Sequence, residues 1–344
     1  MRRLLSISVA VLLLGAALAA CRSSSDSRTV TLVTHDSFAV SKADLRAFEA
    51  DHDVKVKILK SGDAGSALNQ VILTKGKPLG DAMFGVDNTF LTRATKADVF
   101  APYTPNALAD VPESYRLDAS NELTPVDYGD VCVNYDRAAL AAKGVVAPTS
   151  LDDLTDPRYR GMLVVENAAS SSPGLAFLLA TVAKYGDGWR DYWSKLRANG
   201  LKVVDGWEQA YYDDFAGGGQ HGTYPLVVSY ASSPPDGVTQ GTPAVAPTGA
   251  ALDTCFRQVE FAGVLRGAAH PTLARDLVDW MLSQRFQTGV PEQMYVYPVR
   301  TGVAVPANWA RYAPVPSAPF TLAPARIARH RNTWIDQWTE TVLR

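Results

Sequence analysis

The chain has 344 residues, 47% of them hydrophobic and 20% charged. That is enough apolar material for two domains and too much for a disordered polypeptide. Its 33 Lys and Arg against 35 Asp and Glu give a formal charge of -2, which excludes a nucleic-acid binder working through a strong basic field. Three cysteines are too few for a disulfide scaffold and lack zinc-site spacing.

Arg2 and Arg3 precede a mostly apolar run, Leu4 to Ala20, that is short for a membrane span and reads as a signal peptide. It ends in Leu18-Ala19-Ala20-Cys21, which resembles the bacterial lipobox, where the cysteine is acylated and becomes the new N-terminus. The plainer alternative is a secretory signal with an incidental cysteine. Removing residues 1–20 takes away two arginines and moves the formal charge from -2 to -4. Residues 21–28 then form a Ser-rich tether outside the cytoplasmic membrane. Cys132 and Cys255 remain, an even pair and a disulfide candidate in an oxidising compartment.

In chain order, Val30 to Val33 is a predicted strand, and Ser41 caps a helix to Ala50. Val54 to Leu59 is a second strand. Ser66 caps a second helix that stops at Gly76. Ala82 to Val86 is an apolar third strand, and Thr89 starts another helix. This β-α-β-α-β order predicts a parallel sheet covered by helices, with ligands at the carboxyl ends of the strands. A second block starts near Tyr128, with strands at Val131 to Tyr135, Met162 to Val165, Leu201 to Val204 and Leu226 to Tyr230. Between them a short helix runs from Leu151 to Asp156, and longer ones from Pro173 to Tyr185 and Gly188 to Ala198. Trp189, Trp193 and Leu196 share one helical face and read as core. Gln258 to Leu265 returns as a strand, Thr272 to Phe286 is one amphipathic helix, and Pro324 to Leu343 is the last helix.

Enzyme signatures are thin. His35-Asp36-Ser37 cannot form a relay, because adjacent side chains point apart. Nucleophile elbow, Walker loop, dinucleotide fingerprint and metal-ligand histidine spacing are all missing from the sequence. Ser172-Pro173-Gly174 opens a helix with Ser172 as its cap, a ready anion site, although a plain capped helix reads as well. Trp207, Tyr230, Tyr295 and Tyr297 precede turns, where aromatic faces suit a flat cationic ligand.

Several segments occur in the order of a known family: Thr34-His35-Asp36-Ser37-Phe38-Ala39, Gly85-Val86-Asp87-Asn88, Pro125-Val126-Asp127-Tyr128-Gly129 and Ser171-Ser172-Pro173-Gly174-Leu175. Gly206-Trp207 with Ala210-Tyr211, Ser229-Tyr230 with Ser233-Pro234, and Tyr297-Pro298-Val299 continue the series. From about Thr29 onward the chain resembles the thiamine-binding lipoproteins and periplasmic proteins that feed thiamine ABC importers. The resemblance implies an α/β, two-lobe periplasmic-binding-protein fold of type II-like topology, closing on one ligand. Residues 29–127 with about 261–300 are expected to form lobe 1 and residues 128–260 lobe 2, with 301–344 left unassigned. It implies thiamine or a thiamine phosphate held between Trp207, Tyr230 and Tyr295. His35, Asp36 and Ser37 are expected at the cleft, and Asp63, Ser171 and Ser172 at the hydroxyethyl or phosphate end. His35 stands where members often have Tyr, and Tyr295 where they often have Trp. The implied partner is an ABC permease, with the membrane reached only through acylated Cys21, a monomeric state, and neither cofactor nor metal. Cys132 and Cys255 then fall on strands expected to cross between the lobes.

Two rivals share the architecture. Ferric-ion binding proteins use paired tyrosines, as in Tyr211-Tyr212, but consecutive helical residues diverge by roughly 100°. Thiamine-degrading transferases use a cleft cysteine, and Cys132 is the candidate; a bond to Cys255 would exclude it.

Overall fold

The computed structural model describes residues 28–219, 221–238 and 245–344, so the signal segment, Cys21 and all of the tether but Arg28 lie outside the described residues. The strands are β1 Arg28–Thr34, β2 Val54–Lys60, β3 Ala82–Asp87, β4 Phe100–Ala101, β5 Thr124–Asp136, β6 Leu163–Glu166, β7 Lys202–Val204, β8 Leu226–Tyr230, β9 Thr248–Leu265 and β10 Tyr297–Pro298. The α-helices are α1 Lys42–His52, α2 Ala64–Leu73, α3 Leu91–Lys96, α4 Arg137–Ala142, α5 Ser172–Tyr185, α6 Trp189–Ala198, α7 Pro271–Met281, α8 Gln284–Met294, α9 Trp309–Tyr312 and α10 Pro324–Val342.

The strands follow one hydrogen-bonded path, β2-β1-β3-β9-β5-β8-β6-β7. β1 is parallel to β2 and β3, as the β-α-β-α-β reading requires, and β6 is parallel to β7 and β8. The two parallel groups are joined by β5 and β9, which pair antiparallel from Thr124↔Ala262 to Asp136↔Thr248. The Thr124 end of this ribbon lies beside β3, and the Asp136 end beside β8. This is the two-lobe periplasmic-binding-protein fold, with two long strands running through both lobes. Register shifts between Pro125 and Asp127 and between Val131 and Val133 bend β5 where it passes from one lobe to the other. Cys132 of β5 is disulfide-bonded to Cys255 of β9 and buried, so Cys132 carries no thiolate here.

Several boundaries differ from the sequence reading. Asp63, not Ser66, caps α2, because its carboxylate reaches the Ala64 N–H at 2.6 Å. Ser171, not Ser172, caps α5, accepting from the Gly174 N–H. Thr89 does not open a helix; its N–H and hydroxyl bind the Asp87 carboxylate, and α3 begins at Leu91. The single helix expected from Thr272 to Phe286 is two, since Ser283 caps a new one by accepting from the Phe286 N–H at 3.2 Å. β5 and β9 are far longer than the strands expected from Val131 to Tyr135 and Gln258 to Leu265, because each pairs with the other through Pro125, Asp127, Gly129 and Asp130, with register shifts at Val126 and Cys132.

Trp189, Trp193 and Leu196 are buried in the main core, as their spacing implies. Trp338 of α10 meets Trp193 edge-on at 5.6 Å, while Arg331 of the same helix lies over the Phe90 ring at 4.4 Å. The last helix therefore packs on elements of both lobes. Among the described residues no helix is long and apolar enough to cross a membrane.

Candidate ligand-binding cleft

Three parallel strands of each lobe end at one place. β1, β2 and β3 end at Thr34, Lys60 and Asp87; β6, β7 and β8 end at Glu166, Val204 and Tyr230. Side chains just past a parallel strand's carboxyl end are free to turn into the crevice. Between the two sets lies a cleft partly open to solvent. Its walls include His35, Ser37 and Asp63 from one lobe, Ser172, Trp207, Tyr230 and Ser233 from the other, and Met294 and Tyr295 from the end of α8. Glu260 of β9 also lines it, and among the described residues no lysine or arginine does.

The aromatic side is built in layers. Trp207 stacks on Tyr211 at 4.9 Å with 15° between planes, and Tyr230 stands 6.4 Å away at 65°. The Trp207 indole N–H donates to Ser229 Oγ at 2.9 Å, and Ser229 and Ser233 share a further bond at 2.9 Å. This chain fixes the indole plane without using its open face. Tyr295 sits in a left-handed conformation at φ 54°, which turns the chain at the end of α8. Gly85, at φ +100°, lies where a Cβ would collide with the His35 ring, so the bulge in β3 makes room for that imidazole. His35 Nδ1 bonds Ser37 Oγ at 3.0 Å, so these two side chains do meet, contrary to the sequence expectation, while the Asp36 carboxylate turns to the Gly62 N–H and no three-residue relay forms. Burial, helped by the Lys60 charge, lowers its pKa to about 4, so it lines the wall as a neutral ring.

The start of α5 is already satisfied from within. Asp63 of the opposite lobe accepts from the Trp207 N–H at 2.9 Å and the Ser172 N–H at 3.4 Å while capping its own helix. Asp87 accepts from the Ser172 hydroxyl at 2.5 Å, and that hydroxyl also accepts from Gln258 Nε2 at 2.6 Å. Burial raises the pKa of both carboxyls against the opposing pull of these donors. The two aspartates join the lobes and occupy the helix N-terminus that the sequence offered to an external anion.

His35, Ser37, Asp63, Ser172, Trp207, Tyr230 and Tyr295 thus share one cavity. Asp36 does not line it: it lines an adjoining cavity, on the other side of Ser37, Asp63 and Trp207, with Gly62 and Glu208, and its carboxylate accepts from the Gly62 N–H at 3.0 Å. Ser171 is fully buried behind the wall as the cap of α5. Glu260, Ser233 and Met294 were missed. For Glu260 there was a signal, a lone acid inside the apolar run Val259 to Leu265. Tyr211 and Tyr212 do not form a paired ligand set: they stand in a π-helical segment, Gln209–Asp214, with rings at 89° and Tyr211 buried. Among the described residues no group of three or more His, Cys, Asp or Glu is placed to hold a metal.

Residues 81–320 match the family model described as bacterial extracellular solute-binding protein. The chain is 30% identical to the thiamine-binding periplasmic protein of Salmonella typhimurium over 92% of this chain and 94% of that one. It is 29% identical to the protein of that name from Escherichia coli, again over 92% and 94%. A solved periplasmic thiamin binding protein superposes with a TM-score of 0.81 at 30% identity, covering 92% of this chain and 96% of the other. Iron-bound HitA from Pseudomonas aeruginosa, at 20% identity and a TM-score of 0.67 over 90% and 99%, shares the fold alone. With these matches and a cleft between two lobes, the chain belongs to the bacterial extracellular solute-binding protein family.

Proposed function

We propose that this protein captures thiamine in the interlobe cleft and delivers it to the permease of an ABC importer, held at the outer face of the membrane by acylated Cys21. The observation that carries the reading is the wall itself: rings of Trp207, Tyr230, Tyr295 and neutral His35 beside the acidic Asp63 and Glu260, with no lysine or arginine among the described lining residues. Thiamine is flat and carries a permanent thiazolium charge. Aromatic faces attract such a cation by about 0.5–2 kcal/mol each, and a nearby carboxylate adds Coulombic attraction. The named relatives support the same ligand. The wall favours thiamine over its phosphates, because Asp63 takes the Ser172 N–H at the start of α5, Asp87 takes the Ser172 hydroxyl, and among the described residues no lysine or arginine lines the cavity.

Tryptophan fluorescence during titration with thiamine, its monophosphate and its diphosphate tests this. Saturable quenching by thiamine, weaker with each phosphate added, is expected. Folded protein that responds to none of the three is not a thiamine receptor. Iron binding with a visible charge-transfer band would support the ferric alternative instead.

A further inference from the structure

Asp127 and Glu260 are register partners on β5 and β9, and Asp87 on β3 is the partner of Glu260 on its other side. Three carboxyls therefore stand in a row across three neighbouring strands, where the ribbon passes between the lobes. Asp127 is fully buried, and neither of its oxygens accepts from any N–H or hydroxyl. What faces it is the Glu260 carboxyl, whose other side opens on the cavity.

Among the described residues no cation is paired with these two carboxyls. His35 Nε2 lies 3.5 Å from Glu260, but the ring is neutral at working pH. The Lys60 ammonium donates to the Asp36 carbonyl, and its charge acts on His35. The nearest arginine along β9, Arg257, is bound to Asp130 at 2.6 Å and lies over the Tyr128 ring. Arg331 acts on Asp87, not on the pair. The remaining groups that act on the pair are Asp63 and Asp87, both acidic, and the Tyr230 phenol. Two adjacent carboxylates in such a place cannot both ionise.

We propose that Asp127 and Glu260 are the charge-reading element of the cleft: they share one proton while it is empty and release that proton to solvent when the ligand's fixed positive charge arrives beside Glu260. No bond other than the O–H breaks, and the ligand cation replaces the proton as counter-charge. Burial raises both groups: Asp127 reaches about 7 against the opposing hydrogen bond from Glu260, and Glu260, with repulsion from Asp127 added, lies well above its ordinary range, so the empty pair still holds a proton at neutral pH. A neutral solute brings nothing to displace the proton, so the pair selects for cations.

The inference rests on the thiamine reading and is tested by thiamine calorimetry from pH 6 to 9 in two buffers of different ionisation enthalpy. The thiazolium charge is fixed across this range. The wild type is expected to release up to one proton per thiamine, with affinity rising by up to about tenfold per pH unit until the pair is ionised. Glu260→Gln is expected to bind more than tenfold more weakly at pH 8 with no proton release. Asp127→Asn, which supplies Glu260 with a donor, is expected to bind equally well at pH 6 and pH 8. Thiamine binding with no proton exchange, with proton uptake, or with the same pH slope in all three proteins overturns the inference and leaves the thiamine reading standing. No binding by the folded wild type at any pH removes both.

Discussion

Asp63→Ala should open the molecule without ligand. The carboxylate belongs to the first lobe yet accepts the Trp207 and Ser172 N–H groups of the second, at 2.9 and 3.4 Å. A hydrogen bond to a charged group contributes about 1.5–3 kcal/mol, and only the shorter of these two has favourable geometry. Burial raises the pKa of Asp63, so part of that gain is offset by desolvation. The low end, about 1.5 kcal/mol, lowers the closed-to-open ratio roughly tenfold. The lost cap of α2 costs about 1 kcal/mol more, but equally in both states. Small-angle scattering of ligand-free protein reads the first effect and chemical denaturation the second. Asp63→Asn, which keeps an acceptor oxygen, should fall between wild type and alanine. An unchanged radius of gyration together with a loss of about 1 kcal/mol in stability would reduce Asp63 to a helix cap and refute the latch.

Gly65→Ala should also oppose closure, since its Cβ would lie 2.6 Å from the Ser170 carbonyl of the opposite lobe; the Phe90 ring at 2.8 Å adds a strain common to both states. The variant should scatter as a larger particle than wild type when thiamine is saturating, and equal radii would contradict the close approach. Trp207→Ala should lower thiamine affinity two- to thirtyfold, the loss of about 0.5–2 kcal/mol of ring attraction. A lowered melting point with unchanged affinity would make Trp207 a packing residue only. Ligand-free stability should carry the buried carboxyl in its pH profile. Asp127 titrates near 7 in the fold against 3.8 when unfolded, so the folded state holds the extra proton and stability falls as pH rises from about 4 to about 7. His35 works the other way, its pKa lowered from 6.5 to about 4, so its contribution increases with pH across that window. Asp127→Asn removes the first contribution, and denaturation profiles of the two proteins that run parallel between pH 4.5 and 8 would contradict it.

The first lobe was legible because its strands are short apolar runs between capped helices. Val30 to Val33, Val54 to Leu59 and Ala82 to Val86 all became strands with little change at their ends. The long ribbon was not. Only Val131 to Tyr135 was expected as strand there, and the extension back to Thr124 through Pro125, Asp127 and Gly129 is held by pairing with β9 rather than by local preference. The aromatic wall could be found because Trp207, Tyr230 and Tyr295 precede turns and carry a family resemblance. Asp127 stood out within the family segment Pro125 to Gly129, but its partner Glu260 lies 133 positions away in sequence. Register, which sequence pattern alone does not set, is what makes them a pair. The same limit hid the capture of the α5 start by Asp63 and Asp87, since that is a contact between lobes.

Isothermal titration calorimetry of the folded, ligand-free protein with thiamine at pH 8 tests the central claim most directly. The account expects one site per chain, an affinity reduced by Trp207→Ala and by Glu260→Gln, and weaker binding of the monophosphate and diphosphate. Absence of heat and of competition with all three ligands, in protein with an intact cooperative unfolding transition, would contradict it.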